Sequence, residues 1–186
     1  MVSKNKTIGI TTFHRSHNCG SILQSFAMQE VLADYGYVSE FIDFSTKGQK
    51  ELYSVLKPVK IDSAGEFARS IYRNFFAVVL AGRARQNWKS YDRYIAHFLN
   101  VSKKSYEENS KLIETQLGYE KYLTGSDQVW NVTIADYDEA YFLNFVQKHP
   151  KIAYAVSQGA KDIRKYSNDP QKVSMLIKDI DYVSTR

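Results

Sequence analysis

Residues Thr7-Ile8-Gly9-Ile10-Thr11-Thr12-Phe13 are apolar or β-branched at both odd and even positions. A strand with two such faces has to be covered on both, as in a parallel sheet between helices. A polar stretch follows, His14-Arg15-Ser16-His17-Asn18-Cys19. Ile22, Leu23, Phe26, Ala27, Val31, Leu32 and Tyr35 then share one helical face, and Gly36 suits the position just past a helix. Val38-Ser39-Glu40-Phe41-Ile42-Asp43-Phe44 reads as a second strand. Strand, helix and strand in so short a span make a βαβ unit, the opening of a Rossmann-like domain.

Residues 45–60, with Pro58, read as irregular, and 63–98 as helical with a break at Gly82. The pattern predicts a short helix over 107–118 and a strand over 119–124. The next seven residues, Gly125-Ser126-Asp127-Gln128-Val129-Trp130-Asn131, combine turn formers with a carboxylate, two amides and an indole. An aromatic segment at 139–146, a strand at 151–157, a helix at 170–180 and a strand at 181–185 complete the chain. The expected fold is α/β, a Rossmann-like open, mainly parallel sheet with a helical insertion at about 60–118, in one domain over 1–186. Ligands of such sheets sit outside the carboxyl ends of the strands, which selects the loops 14–20, 125–131 and 157–160. The chain stops straight after a strand, and the expectation is that a C-terminal domain is missing.

Apolar residues at 44% and charged residues at 24% fit a globular protein. The formal charge of +5 favours an anionic partner, and Arg69, Arg73, Arg83, Arg85, Lys89 and Arg93 concentrate it in one helical stretch. No zinc-finger spacing, RNP-type strand or recognition-helix unit accompanies these cations, so nucleic acid is not an expected partner. Cys19 is the single cysteine, which excludes an intrachain disulfide. Residues 1–10 lack a signal-peptide core, and a cytoplasmic location is expected. The apolar run 75–81 beside arginines reads either as a peripheral contact with the inner face of the membrane or as a helix covered by protein.

Six segments together carry a resemblance. Ile8-Gly9-Ile10-Thr11-Thr12-Phe13-His14 leads into Asn18-Cys19-Gly20-Ser21-Ile22-Leu23-Gln24, and the heptapeptide 125–131 follows later. Tyr141-Phe142-Leu143, Lys151-Ile152-Ala153-Tyr154-Ala155-Val156-Ser157-Gln158-Gly159 and Asp181-Tyr182-Val183-Ser184-Thr185-Arg186 complete the set. In this order they resemble the first domain of the polysaccharide pyruvyl transferase family, over roughly 7–44 and 119–186. Cys19 departs from the pattern, which usually has an aromatic there. The resemblance implies the first half of a GT-B-like two-domain architecture. It also implies transfer of pyruvate from phosphoenolpyruvate to a pair of sugar hydroxyls, in synthesis of a bacterial exopolysaccharide or capsule. Phosphoenolpyruvate is then the donor substrate, with no cofactor, and the acceptor is a sugar or lipid-linked oligosaccharide. The donor's cationic contacts are expected in the missing domain.

Ketal formation needs a proton donor, a proton acceptor and precise placement of two hydroxyls. Asp127 is the candidate catalytic residue, with capping of the following turn as its structural alternative. His14, Asn18, Gly20 and Gln24 are candidate substrate contacts on the first loop, where a helix N-terminus favours polar ligands. Gly125, Ser126, Gln128, Trp130 and Asn131 are candidates on the second, with Trp130 reading either as a sugar platform or as a buried anchor. Ser157 and Gly159 are candidates on the third. No metal-ligand spacing is present, and the first turn lacks the Gly-x-Gly-x-x-Gly of dinucleotide enzymes. A nucleotide-sugar glycosyltransferase and a non-catalytic glycan-binding domain are the alternatives.

Overall fold

A computed structural model describes residues 6–59 and 61–186. Six strands form one open sheet in the order β3-β2-β1-β4-β5-β6, and every pair is parallel. They are β1 (Lys6–Thr11), β2 (Tyr37–Phe44), β3 (Val101–Tyr106), β4 (Lys121–Asp127), β5 (Lys151–Val156) and β6 (Tyr182–Thr185). The helices are α1 (Cys19–Asp34), α2 (Lys47–Leu52), α3 (Ala64–Val79), α4 (Ala81–Phe98), α5 (Asn109–Thr115), α6 (Ile163–Tyr166) and α7 (Pro170–Lys178), with a 3-10 turn at Glu139–Phe142.

Strand alternation divides the core in two. Ile8, Ile10, Phe41 and Leu123 point to one face, where they pack with Ile22 and Met28 of α1 and with Ile95 of α4. Ile42, Phe44 and Tyr122 point to the other, against Leu112, Trp130, Tyr141, Phe142 and Val173. Neighbours such as Phe41 and Ile42 are both fully buried because successive side chains leave a strand on opposite faces. This is the two-faced burial that the apolar run in β1 requires.

The expected helical insertion holds α3, α4 and α5, and it also contributes an edge strand that was not expected, β3, Val-Ser-Lys-Lys-Ser-Tyr. Its centre is exposed, so a polar edge strand shows no apolar period. The boundary expected at about 60 falls on a residue outside the described ones. The segment 45–60 is not wholly irregular, since α2 lies within it, capped by the Thr46 side chain on Gln49 N–H. The break in 63–98 falls at Leu80, which joins α3 to α4, and Gly82 lies inside the first turn of α4. Helix α5 ends at Gln116, which holds a left-handed φ of +47°, so Gly118 does not terminate it. The strand expected at 119–124 is displaced to 121–127, where Gly125 and Asp127 pair with Tyr154 and Val156. The first three residues of the heptapeptide therefore belong to β4.

Candidate functional site

Between β1 and β4 the connections leave the sheet in opposite directions, so the crevice at their carboxyl ends is where such folds bind ligands. Its walls are the turn after β1, the first turns of α1 and the end of β4. Asn18 caps α1, its Oδ1 accepting from Gly20 N–H at 2.8 Å. Helix α1 has no acid in its own first turn. Asp127 supplies one from across the crevice, with Ser21 Oγ donating to Asp127 Oδ2 at 2.8 Å. A carboxylate there has the sign that the positive end of a helix dipole favours. Gln128 N–H donates to the other oxygen, Asp127 Oδ1, at 2.7 Å. Asp127 is only half-buried, so the carboxylate is held at both oxygens and still open to the crevice.

A second set of bonds fixes the floor. Thr12 Oγ1 donates to the Ser126 carbonyl at 3.1 Å. Gln24 Nε2 donates to Thr12 Oγ1 at 3.1 Å, and Ser126 Oγ donates to Gln24 Oε1 at 3.0 Å. β1, α1 and β4 are thus tied by one amide and two hydroxyls. Gly125 has φ +108°, and a Cβ there would run into the Tyr154 carbonyl oxygen. Only glycine lets β4 approach β5 this closely at that conformation.

The third loop closes on the second. Asn131 Nδ2 donates to Gln128 Oε1 at 3.0 Å, while Asn131 Oδ1 accepts from Thr133 N–H and Thr133 Oγ1. A Cβ on Gly159 would lie 2.5 Å from Asn131 Nδ2, and Gly159 has φ +74°. Ser157 N–H donates to the Asp127 carbonyl at 3.0 Å and Ser157 O accepts from Trp130 N–H at 3.2 Å. Asn131, Ser157 and Gly159 therefore brace the strand end that carries Asp127.

Two residues lie away from the crevice. Trp130 is buried, donating from Nε1 to the Tyr141 carbonyl at 3.1 Å and stacking on Phe142 with ring centres 5.1 Å apart. Its rings are not available as a sugar platform, and the anchor reading is the one the packing fits. His14 is fully buried against Phe41, with Nε2 3.7 Å from Asp43 Oδ1. The expected substrate contact at His14 is corrected by this burial: the turn closed by Ser16 N–H on the Phe13 carbonyl carries His14 inward.

Arg15 grips Asp43 with two bonds of 2.7 Å, from Nε and Nη2. Burial pushes the Asp43 carboxyl up, but the neighbouring His14 and Arg15 outweigh it and hold the group well below the ordinary carboxylate range. Dinucleotide folds use an acid at the end of the second strand for a ribose, and here Arg15 occupies it. Beside this pair lies a cavity of about 360 Å³ lined by His17, Gln49, Tyr53 and Asp92.

The residue that sequence reasoning missed is Asp136. It is buried, and desolvation first, then the charge of Asp127, push its carboxyl above the ordinary range. Among Asp136, Asp138 and Glu139 nothing in the sequence distinguishes the buried one. Among the described residues no group of three or more His, Cys, Asp or Glu comes together as a metal site.

An all-parallel sheet of this order, with polar loops gathered at its switch point, defines a Rossmann-type ligand-binding domain. The family model named Polysaccharide pyruvyl transferase matches residues 18–186, and the chain belongs to that family. The membership supports a transferase of polysaccharide biosynthesis. No curated protein and no solved structure matched the chain.

Proposed function

We propose that the protein transfers pyruvate from phosphoenolpyruvate to two hydroxyls of a sugar, forming a cyclic ketal on a bacterial surface polysaccharide or its lipid-linked precursor. The observation that carries this reading is Asp127: a carboxylate held at both oxygens, half-open, at the switch point of a chain in this family. In the reaction a proton adds to the methylene carbon of the donor and the first sugar oxygen bonds to the adjacent carbon. The bond to phosphate then breaks, and the second hydroxyl closes the ring. The two hydroxyl protons end on the new methyl group and on the released phosphate. Asp127 takes the proton of the attacking hydroxyl and orients that hydroxyl.

The position of Asp127 also supports an arrangement of the two substrates in the crevice. Its negative charge already faces the α1 N-terminus through Ser21. A donor phosphate there would meet a like charge, so this wall takes the neutral sugar. Gln24, Ser126 and Gln128 offer amide and hydroxyl groups for further sugar oxygens. The donor's phosphate and carboxylate are then gripped by cations outside this wall.

The test is phosphate release from phosphoenolpyruvate with glycan acceptors, on the longest natural product of the gene. Acceptor-dependent release with a pyruvyl ketal in the product is expected. Turnover of nucleotide sugars instead, or their sole ability to protect against unfolding, would move the protein to the glycosyltransferases.

A further inference from the structure

Helix α3 turns its apolar side away from the protein. Phe67, Ile71, Phe75 and Val78 fall on one arc of the helix and are 47%, 48%, 63% and 56% exposed, with Tyr72 and Val79 beside them at 66% and 63%. The side facing the body is small and polar. Ser70 is buried, Asn74 exchanges hydrogen bonds with both backbone groups of Lys57, and Ala77 is half-buried. A surface helix of a globular protein has the opposite arrangement. Contiguous apolar surface of this kind marks an interaction face.

The charge around that face is one-sided. From Phe67 to Tyr91 there are five cations, Arg69, Arg73, Arg83, Arg85 and Lys89, and no Asp or Glu. None of the five forms a salt bridge among the described residues. Two copies meeting on this face about a two-fold axis would set the cations against each other. An anionic lipid surface meets both demands, since it takes aromatic side chains at the headgroup boundary and attracts arginines. No described helix is long and apolar enough to cross a membrane, so α3 would lie in the plane of the interface.

Helix α4, on which α3 packs, is also placed toward the crevice. His17, on the loop after β1, contacts Asp92 at 3.0 Å and stacks near Trp88 and Tyr91. Asp92 is therefore level with the candidate site, and the start of α4 lies about 16 Å further along the helix axis. We propose that the exposed face of α3, with the arginines at the start of α4, docks this protein on an anionic membrane surface with the crevice turned toward it.

Vesicle flotation of the purified protein tests this and needs neither donor nor acceptor, so its outcome is independent of the pyruvyl-transfer reading. Uptake is expected on phosphatidylcholine vesicles containing phosphatidylglycerol, with little on phosphatidylcholine alone and a marked fall at high salt. Phe75→Glu and the double change Arg83→Glu/Arg85→Glu should each lower the partition coefficient about tenfold or more, while Met175→Glu, on the exposed side of α7, leaves it unchanged. Absence of uptake on anionic vesicles, or uptake that neither Phe75→Glu nor the arginine changes reduce, would overturn the proposal. So would a concentration-dependent dimer, dissolved by Phe75→Glu, in a protein that ignores vesicles.

Discussion

Ser21 Oγ donates a 2.8 Å hydrogen bond to Asp127 Oδ2, joining the first turn of α1 to the end of β4 across 106 positions of sequence. One link thus positions the candidate catalytic carboxylate and closes the β1/β4 crevice. Ser21→Ala should leave Asp127 in place through Gln128 N–H but free to rotate. The expected result is a fall in kcat of about tenfold with donor KM unchanged, at a stability cost of about 1 kcal/mol for the lost bond. Steady-state kinetics and a denaturant titration separate the two effects.

Gly125 admits no side chain, because φ is +108° and a Cβ would strike the Tyr154 carbonyl oxygen. Gly125→Ala is expected to cost more than about 2 kcal/mol and to open the β4/β5 pairing. Amide exchange should show the loss of protection at Tyr154 and Val156 before it spreads to β1. An unchanged melting temperature would contradict this packing.

The Arg15–Asp43 pair gives acid sensitivity of a definite sign. The folded pKa of Asp43 lies below its unfolded value. The stability it contributes is therefore present above the unfolded pKa, about 4, and is lost as pH falls through the folded value. Arg15→Met should destabilise by about 1–2 kcal/mol at neutral pH, discounted because the Arg15 side chain is 34% exposed. The gap between the two proteins should narrow below about pH 4, which chemical denaturation at several pH values reads directly.

Asp136 carries the opposite sign. Burial and the charge of Asp127 raise its folded pKa above the unfolded one, so its ionisation opposes folding as pH rises. Asp136→Asn is expected to stabilise the protein at neutral pH and to lose that advantage in acid. The same change should lower turnover if its proton serves the reaction. A variant both stabilised and fully active would assign Asp136 no part in the chemistry.

Trp130 should behave as a core residue. Trp130→Ala is expected to cost about 3–5 kcal/mol, and Trp130→Phe, which keeps a ring against Phe142, much less. Indole fluorescence of Trp130 should resist quenching by acrylamide and by added acceptor sugar. Quenching by sugar would return the indole to the ligand site.

These expectations rest unevenly on what the sequence makes legible. The βαβ opening is readable because β1 and β2 are buried on both faces and their side chains say so. β3 is not, because an edge strand such as Val101–Tyr106 is held by backbone pairing to β2 while its lysines face water. The end of β4 is hidden for the same reason, since backbone pairing carries the strand through Gly125, Ser126 and Asp127 whatever their polarity. In the site, the heptapeptide and the Asn18–Gln24 turn stand out by their residue types. Which of those residues face the crevice depends on packing that spacing does not encode. His14 and Trp130 turn inward, Ser21 reaches Asp127, and Asp136 is buried among acids that look alike.

The most direct test of the central claim is the ratio of acceptor-dependent phosphate release by the natural protein and by Asp127→Asn, measured on the longest natural product of the gene. The amide keeps the size of the side chain and can still accept from Gln128 N–H at its single oxygen while its nitrogen donates to Ser21 Oγ, but it cannot take a proton. A fall in kcat of about a hundredfold or more, with phosphoenolpyruvate KM little changed, is the expected result. Equal turnover by the two proteins would remove Asp127 from the chemistry and with it this account of the crevice.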